Sequence, residues 1–293
     1  MKRRAILGIL LTTGLLAMQA HADQLTGRLA RIKDSATMII AHGETAMPFS
    51  YMDRNGPVGF GVDISKRIAD GIKNRLNLAD LRIRWNPVTL STRFPLIVTN
   101  TVDLECVTTT HTRGREEMAG FSNSFYISDE GIAVRRDSAI KGLADLAGKR
   151  IAVVRGTTTE RALPAKGLNA TLVPERNNRM AMAALAEGRA DAYVAAVPII
   201  AGEFLRLVDA RPFRIINTGE YHEAFACMLP KNDPAFKKVV DDILAEMMKS
   251  GEMERIYNKW FMEPIPPFGR TVNLPLNEEN RRLYQAPNDT PFE

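Results

Sequence analysis

Arg93 and the run Thr108, Thr109 and Thr110 lie fifteen to seventeen residues apart in the stretch 86–110, NPVTLSTRFPLIVTNTVDLECVTTT. A guanidinium offers a planar fork of donors that matches a carboxylate, and hydroxyls with backbone amides can satisfy its remaining lone pairs. A second hydroxyl run, Gly156-Thr157-Thr158-Thr159-Glu160, has the composition of a strand-to-helix turn, where free amides at a helix N-terminus favour an anion. Glu160 also fits the last position of a capping box, so Thr157 to Thr159 read equally as helix caps. Taken alone, Arg93 is a surface arginine beside ordinary strand residues. The anion-binding reading requires a fold that brings the two runs to one cleft.

The elements around these residues suggest such a fold. Phe94, Leu96 and Ile97 place Arg93 on a helix, Asn100 turns the chain, and 102–107 reads as a buried strand that ends in the threonines. Upstream, 37–41 is a first buried strand, 48–51 and 58–60 flank a turn at 53–56, and Asp63 is placed to cap a helix with Ile64, Ile68, Ile72 and Leu76 in one stripe. Alternation in 81–85 puts Leu81, Ile83 and Trp85 on one face. Downstream come a short helix from Thr112, an extended run at 126–135, a strand at 151–154, a helix at 177–187 and a strand at 191–196. Extended segments at 213–218 and 225–229 and two helices before Pro264 complete the pattern, and the segment 268–293 reads as a polar tail. Strands alternating with helices imply an α/β protein whose ligands sit beyond the carboxyl ends of the strands, where Thr108 to Thr110 fall.

Residues 1–22 read as a cleavable signal peptide: Lys2, Arg3 and Arg4 precede a short apolar run and an Ala20-His21-Ala22 cleavage site. Export is therefore expected. Removing those three cations, and no acid, takes the formal net charge from +5 to +2, and nucleic-acid binding loses its main support. The remaining 271 residues suffice for two modest domains. Cys106 and Cys227 are the two cysteines, and in an exported chain they read either as a disulfide or as two buried thiols. His42, His111 and His222 are isolated in sequence, so no metal site is expected, and no cofactor is implied.

In order along the chain, PFSYMDRNGPVGFGVDIS at 48–65, RFPLIVTNTVDLECVTTT at 93–110, GTTTE at 156–160, EGRADAY at 187–193, EAFACMLPKNDPAFKKVVDD at 223–242 and the terminal WFMEPIPP resemble the periplasmic solute-binding proteins of ABC transporters for polar amino acids, glutamate/aspartate-binding type (bacterial extracellular solute-binding protein family 3). The resemblance implies a type II periplasmic-binding-protein fold, two α/β lobes joined by two crossover strands. Lobe 1 would comprise 35–129 with 223–265, lobe 2 would comprise 130–222, and 266–293 would be a surface tail. It also puts both cysteines in lobe 1, where a bridge leaves hinge motion free. The ligand set it implies is Arg93 on an α-carboxylate, Thr108 and Thr110 at the strand end, Thr157 and Thr158 at the lobe 2 helix N-terminus, Phe49 as an apolar wall, and Asn178. The implied partners are an amino acid or related small carboxylate and an inner-membrane ABC permease, with the binding protein a monomer.

Four positions depart from the family pattern. Gly43 replaces a second arginine, Leu90 a serine, Asn178 a histidine and Ala196 an acid that pairs the ligand ammonium. An ammonium buried without a carboxylate partner costs several kcal/mol, roughly, so these changes point to a ligand other than glutamate, such as a carboxylate without a free amine, unless Glu44, Glu175 or Glu223 supplies the acid. Two other classes compete: a periplasmic enzyme of dehydratase or lyase type on the same fold, which needs an acid or base beside the carboxylate, and a protein presenting its ligand to a sensor.

Overall fold

The computed structural model describes residues 25–292; the segment read as a signal peptide lies outside the described residues. Helix α1 (Gly27–Ser35) buries Leu29 and Ile32 and leads into β1 (Thr37–Gly43). Strands β2 (Thr45–Ala46), β3 (Ser50–Asp53) and β4 (Gly56–Val58) form a small antiparallel sheet. Helix α2 (Phe60–Arg75) starts ahead of Asp63, which does not cap it. Asp63 instead accepts from Trp260 Nε1 at 2.8 Å and Lys259 Nζ at 2.6 Å, while Ile64, Ile68 and Ile72 are buried as their spacing requires. After β5 (Arg82–Val88), helix α3 (Arg93–Val98) opens on the arginine itself. Only β6 (Leu104–Glu105) of the expected strand at 102–107 joins the ladder, although Val102, Cys106 and Val107 are also buried. The short α4 (Arg113–Glu116) precedes the long β7 (Gly120–Arg135).

The chain then builds β8 (Arg150–Val154), α5 (Thr158–Ala165), β9 (Thr171–Glu175), α6 (Asn178–Ala186), β10 (Ala192–Ala196) and α7 (Val197–Phe204). It returns along β11 (Phe213–Leu229), which runs antiparallel to β7 and unites the two extended segments read separately from the sequence. Helices α8 (Pro234–Lys249), α9 (Glu252–Phe261) and α10 (Glu278–Gln285) follow.

The main sheet has the order β5-β1-β6-β11-β7-β10-β8-β9. Its two central strands, β7 and β11, are long enough to serve both halves, and they join two lobes. In lobe 1, parallel β1, β5 and β6 pack on α2, α8 and α9 through a core that includes Ile40, Ile68, Phe225, Val240 and Tyr257. In lobe 2, parallel β8, β9 and β10 carry cores on both faces, with Ala152, Leu185 and Tyr193 on one and Ile132, Val153 and Leu163 on the other. A disulfide joins Cys106 to Cys227 within lobe 1.

The C-terminal segment, expected as a polar surface tail, contains α10 and is stitched to the crossover strand. Asn280 is fully buried, and its side chain both accepts from Ile127 N and donates to Ile127 O, each at 2.8 Å. Asn288 O accepts from Ser124 N at 2.9 Å, and Phe292 N donates to His111 O at 2.9 Å. Beside this seam, His222 Nδ1 lies 2.8 Å from Asp129 Oδ1 and 3.3 Å from Glu279 Oε2, a cluster drawn from three remote elements.

Candidate ligand-binding cleft

Arg93 begins α3, and its side chain is almost fully buried, 2% exposed. It reaches under the end of β6, where Nη1 donates to Thr108 O at 3.4 Å. Burial lowers its pKa, and the carboxylates of Glu105 and Glu223 act against that shift. Opposite, Thr157 is the N-cap of α5: its hydroxyl accepts from Glu160 N at 3.1 Å and donates to Val154 O at 2.7 Å, while Glu160 Oε2 accepts from Gly156 N at 2.8 Å. The capping reading therefore accounts for Thr157, and Thr158, one residue on, directs its hydroxyl into the cleft.

Arg93, Thr108 and Thr110 from lobe 1 and Thr157, Thr158 and Asn178 from lobe 2 line one cavity of about 40 Å³. Arg93, Leu90 and Asn178 also line a second, of about 180 Å³, so the cleft has an inner and an outer chamber that meet at these three residues. Asn178 is fixed at the junction, where its Oδ1 accepts from Tyr193 OH at 3.0 Å. Phe49 is the exception among the site residues expected from sequence. It lines neither chamber; its fully buried ring packs edge-on against Phe60, Tyr126, Phe225 and Phe261 at 5.2–6.0 Å between centroids. An aromatic with four aromatic neighbours is held in the core, and Phe225 supplies the apolar wall instead.

Two residues complete the inner chamber. Arg115, on α4, is 2% exposed; its Nη1 donates to Thr110 O at 2.8 Å and its Nη2 to Gly156 O at 3.3 Å, so one guanidinium ties lobe 1 to lobe 2. Burial, reinforced by the like charge of Arg93, brings its pKa down to about 9, which leaves it a cation at neutral pH. Glu223, on β11, is buried and accepts at Oε1 from both Thr110 Oγ1, at 3.0 Å, and Thr158 Oγ1. It shares the chamber wall with Ala196, the position where the resemblance calls for an acid. Of the other acids considered, Glu44 lies on the outer chamber and Glu175 is engaged by Arg189 at 2.6 Å. Nothing in the sequence marked Arg115, which sits in the mixed-charge run TRGREE without apolar periodicity.

Residues 38–263 match the bacterial extracellular solute-binding proteins, family 3. The chain belongs to that family. It is 33% identical over 291 residues to the L-glutamate/L-aspartate-binding protein of Pseudomonas aeruginosa, covering 97% of this chain and 96% of the relative. It is 32% identical to the glutamate/aspartate import solute-binding protein of Escherichia coli, again covering 97% and 96%. Among solved structures, an ancestral amino-acid-binding protein described as a precursor of cyclohexadienyl dehydratase superposes with a TM-score of 0.71 at 27% identity, over 80% of this chain and 99% of that one. Its solute-binding role is thus that of a two-lobed protein with the ligand space between the lobes.

Proposed function

We propose that this protein is the exported binding component of an ABC importer and that it holds an amino acid or related small carboxylate between its lobes. The observation that carries the reading is the convergence of Arg93, Arg115 and Thr110 from lobe 1 with Thr158 from lobe 2 on a single buried chamber. Two guanidinium groups and two hydroxyls provide more donors than Glu223 consumes, and a carboxylate is the small anion whose geometry uses paired N–H groups. A ligand ammonium has a partner in Glu223, since a carboxylate offers about four lone-pair sites and its two threonine bonds both fall on Oε1. The free amine therefore need not be absent, although Ala196 supplies no charge.

The binding step is reversible: an open form admits solute to lobe 1, and rotation about β7 and β11 brings Thr158 and Asn178 onto it. Exclusion of water then strengthens the polar contacts, and the closed monomer docks on a membrane permease. An enzyme on this fold would need an acid or base at the ligand. Glu223, the acid in the inner chamber, is held by the Thr110 and Thr158 hydroxyls and faces the charges of Arg93 and Arg115, and Glu130, whose pKa burial pushes up to about 7, lines neither chamber; both favour binding over catalysis. The test is calorimetry with a panel of amino acids and small carboxylates on the wild type and on Arg93→Ala. At least one member should bind, and the substitution should weaken it about 100-fold or more, as expected for removing a buried charged partner. Undiminished binding by Arg93→Ala would refute the site.

A further inference from the structure

Asp129 on β7 and His222 on β11 face each other across the crossover strands, and Glu279 reaches the same point from α10. The isolation of His222 in sequence gives no sign of a metal site; only the fold gathers these three side chains. Their ligand atoms, one imidazole nitrogen and two carboxylate oxygens, all lie within 4.8 Å of one another. His222 Nδ1 is 2.8 Å from Asp129 Oδ1 and 3.3 Å from Glu279 Oε2. The side chains themselves are 21–38% exposed, and His222 and Glu279 line a surface recess of about 340 Å³, so the cluster is open to an ion from solvent.

A proton does not account for this arrangement. A protonated Nδ1 directs one hydrogen, whereas here two carboxylates stand within reach of it. Neither Nδ1 nor Glu279 Oε2 makes a hydrogen bond of acceptable geometry. A divalent cation has no such directional limit and can draw on all three atoms at once. For zinc, bonds of about 2.0–2.1 Å at tetrahedral angles put neighbouring ligand atoms about 3.3 Å apart. The His222–Glu279 separation already has that value, and Asp129 has to give by only about 0.5 Å.

The backbone holds each ligand in place. β7 and β11 shift register between Asn217 and His222, and this bulge sets His222 opposite Asp129 while Asn217 Nδ2 donates to Asp129 Oδ2 at 2.7 Å. One carboxylate oxygen is thereby occupied and the other turned to His222, the way outer partners orient metal ligands. Glu279 lies in the first turn of α10, next to Asn280, whose side chain exchanges two hydrogen bonds with the Ile127 backbone. Two carboxylates outweigh Arg282, the one cation lining the recess. An imidazole among the ligands suits a first-row transition ion such as zinc, whereas calcium and magnesium take oxygen ligands.

We propose that Asp129, His222 and Glu279 form a site for a divalent transition-metal ion of the zinc class, which fastens α10 to both crossover strands. The inference is independent of the solute held in the cleft. It is tested by calorimetry and thermal melting on the mature chain without an affinity tag, with zinc chloride and magnesium chloride as probes. His42 and His111 are buried, so His222 is the one histidine of the described residues open to an added ion. Zinc should bind with a stoichiometry of one and raise the melting temperature, as a ligand of the folded state does, and magnesium should do neither. Loss of an outer partner alone costs about 10–100-fold in metal affinity, so His222→Ala should weaken zinc about 100-fold or more and Glu279→Gln about ten-fold or more. Glu279→Gln is isosteric and decides the matter if His222→Ala does not fold. Absence of stoichiometric zinc binding, or magnesium binding as tight as zinc, overturns the inference. Zinc binding that both substitutions leave unchanged also overturns it and marks an adventitious ion only.

Discussion

Gly202→Ala should loosen ligand binding without loosening the fold. Gly202 lies on α7 in lobe 2, and a Cβ at this position would sit 2.1 Å from the Met47 carbonyl oxygen and 2.6 Å from its carbon, both backbone atoms of lobe 1. Reaching an ordinary contact of 3.4 Å requires a retreat of about 1.3 Å, and no rotamer change can supply it because the obstacle is main chain. Beside the close Thr158–Glu223 bond, two polar contacts that cross the cleft are already long: 3.3 Å for Arg115 Nη2 to Gly156 O and 3.5 Å between the Thr110 and Thr158 hydroxyls. A displacement of that size takes both out of hydrogen-bonding range. At about 0.5–1.5 kcal/mol each, their loss amounts to about 1–3 kcal/mol, or roughly five- to 150-fold in affinity. Within α7 the same substitution is favourable, since alanine in a helix interior is preferred to glycine by up to about 1 kcal/mol. Melting temperature should therefore hold or rise while calorimetry with the tightest solute of the amino-acid panel shows weaker binding. Affinity within two-fold of wild type would show that the lobes do not meet at Met47 in the bound form, and the account of closure would fail.

Two further outcomes follow from the same coordinates. Replacing Cys106 and Cys227 together by alanine opens a loop with a sequence separation of 121, and urea unfolding should show a loss approaching 4–5 kcal/mol on the chain-entropy account, roughly, with an unchanged midpoint arguing against any stabilising role for the bridge. Burial raises the pKa of both Glu130 and Glu203 from 4.5 to about 7, so each carboxyl holds its proton more tightly in the folded chain than in the unfolded one. That contribution is fully present below pH 4.5 and is lost as pH rises through about 7, at about 3 kcal/mol per group. Stability measured at pH 5 and pH 8 should accordingly fall with pH, and Glu203→Gln should flatten the fall; an identical pH dependence in that variant would overturn the assignment.

What could be read from the sequence was what local pattern determines. The four-residue spacing of Ile64, Ile68 and Ile72 gave the buried face of α2, and the GTTTE run gave the capped start of α5 with Thr158 facing the cleft. Helix α7 escaped because Val197–Phe204 is apolar but for Glu203, itself buried, and so has no polar face to mark a period, and β9 because it carries Pro174 at the sheet edge. Within the site, the residues that escaped owe their role to long-range placement. Arg115 matters because the end of α4 faces the Gly156 turn 41 positions on, a fact that leaves no trace in its neighbours. Phe49 was misplaced for the converse reason. A phenylalanine near a cleft loop reads as a ligand wall until its four aromatic partners, all distant except Phe60, are seen to enclose it.

The seam between the chain's last residues and β7 also determines how the protein can be cut. The family match ends at 263, so an expression fragment trimmed to the matched region would omit α10 along with Asn280 and Asn288. These residues occupy the backbone groups of Ser124 and Ile127 on the side of β7 that faces away from β11. Without them a crossover strand would present an open edge, the surface on which one sheet adds to another. A trimmed fragment would thus lose solubility through edge-to-edge association while its ligand-binding residues remained intact.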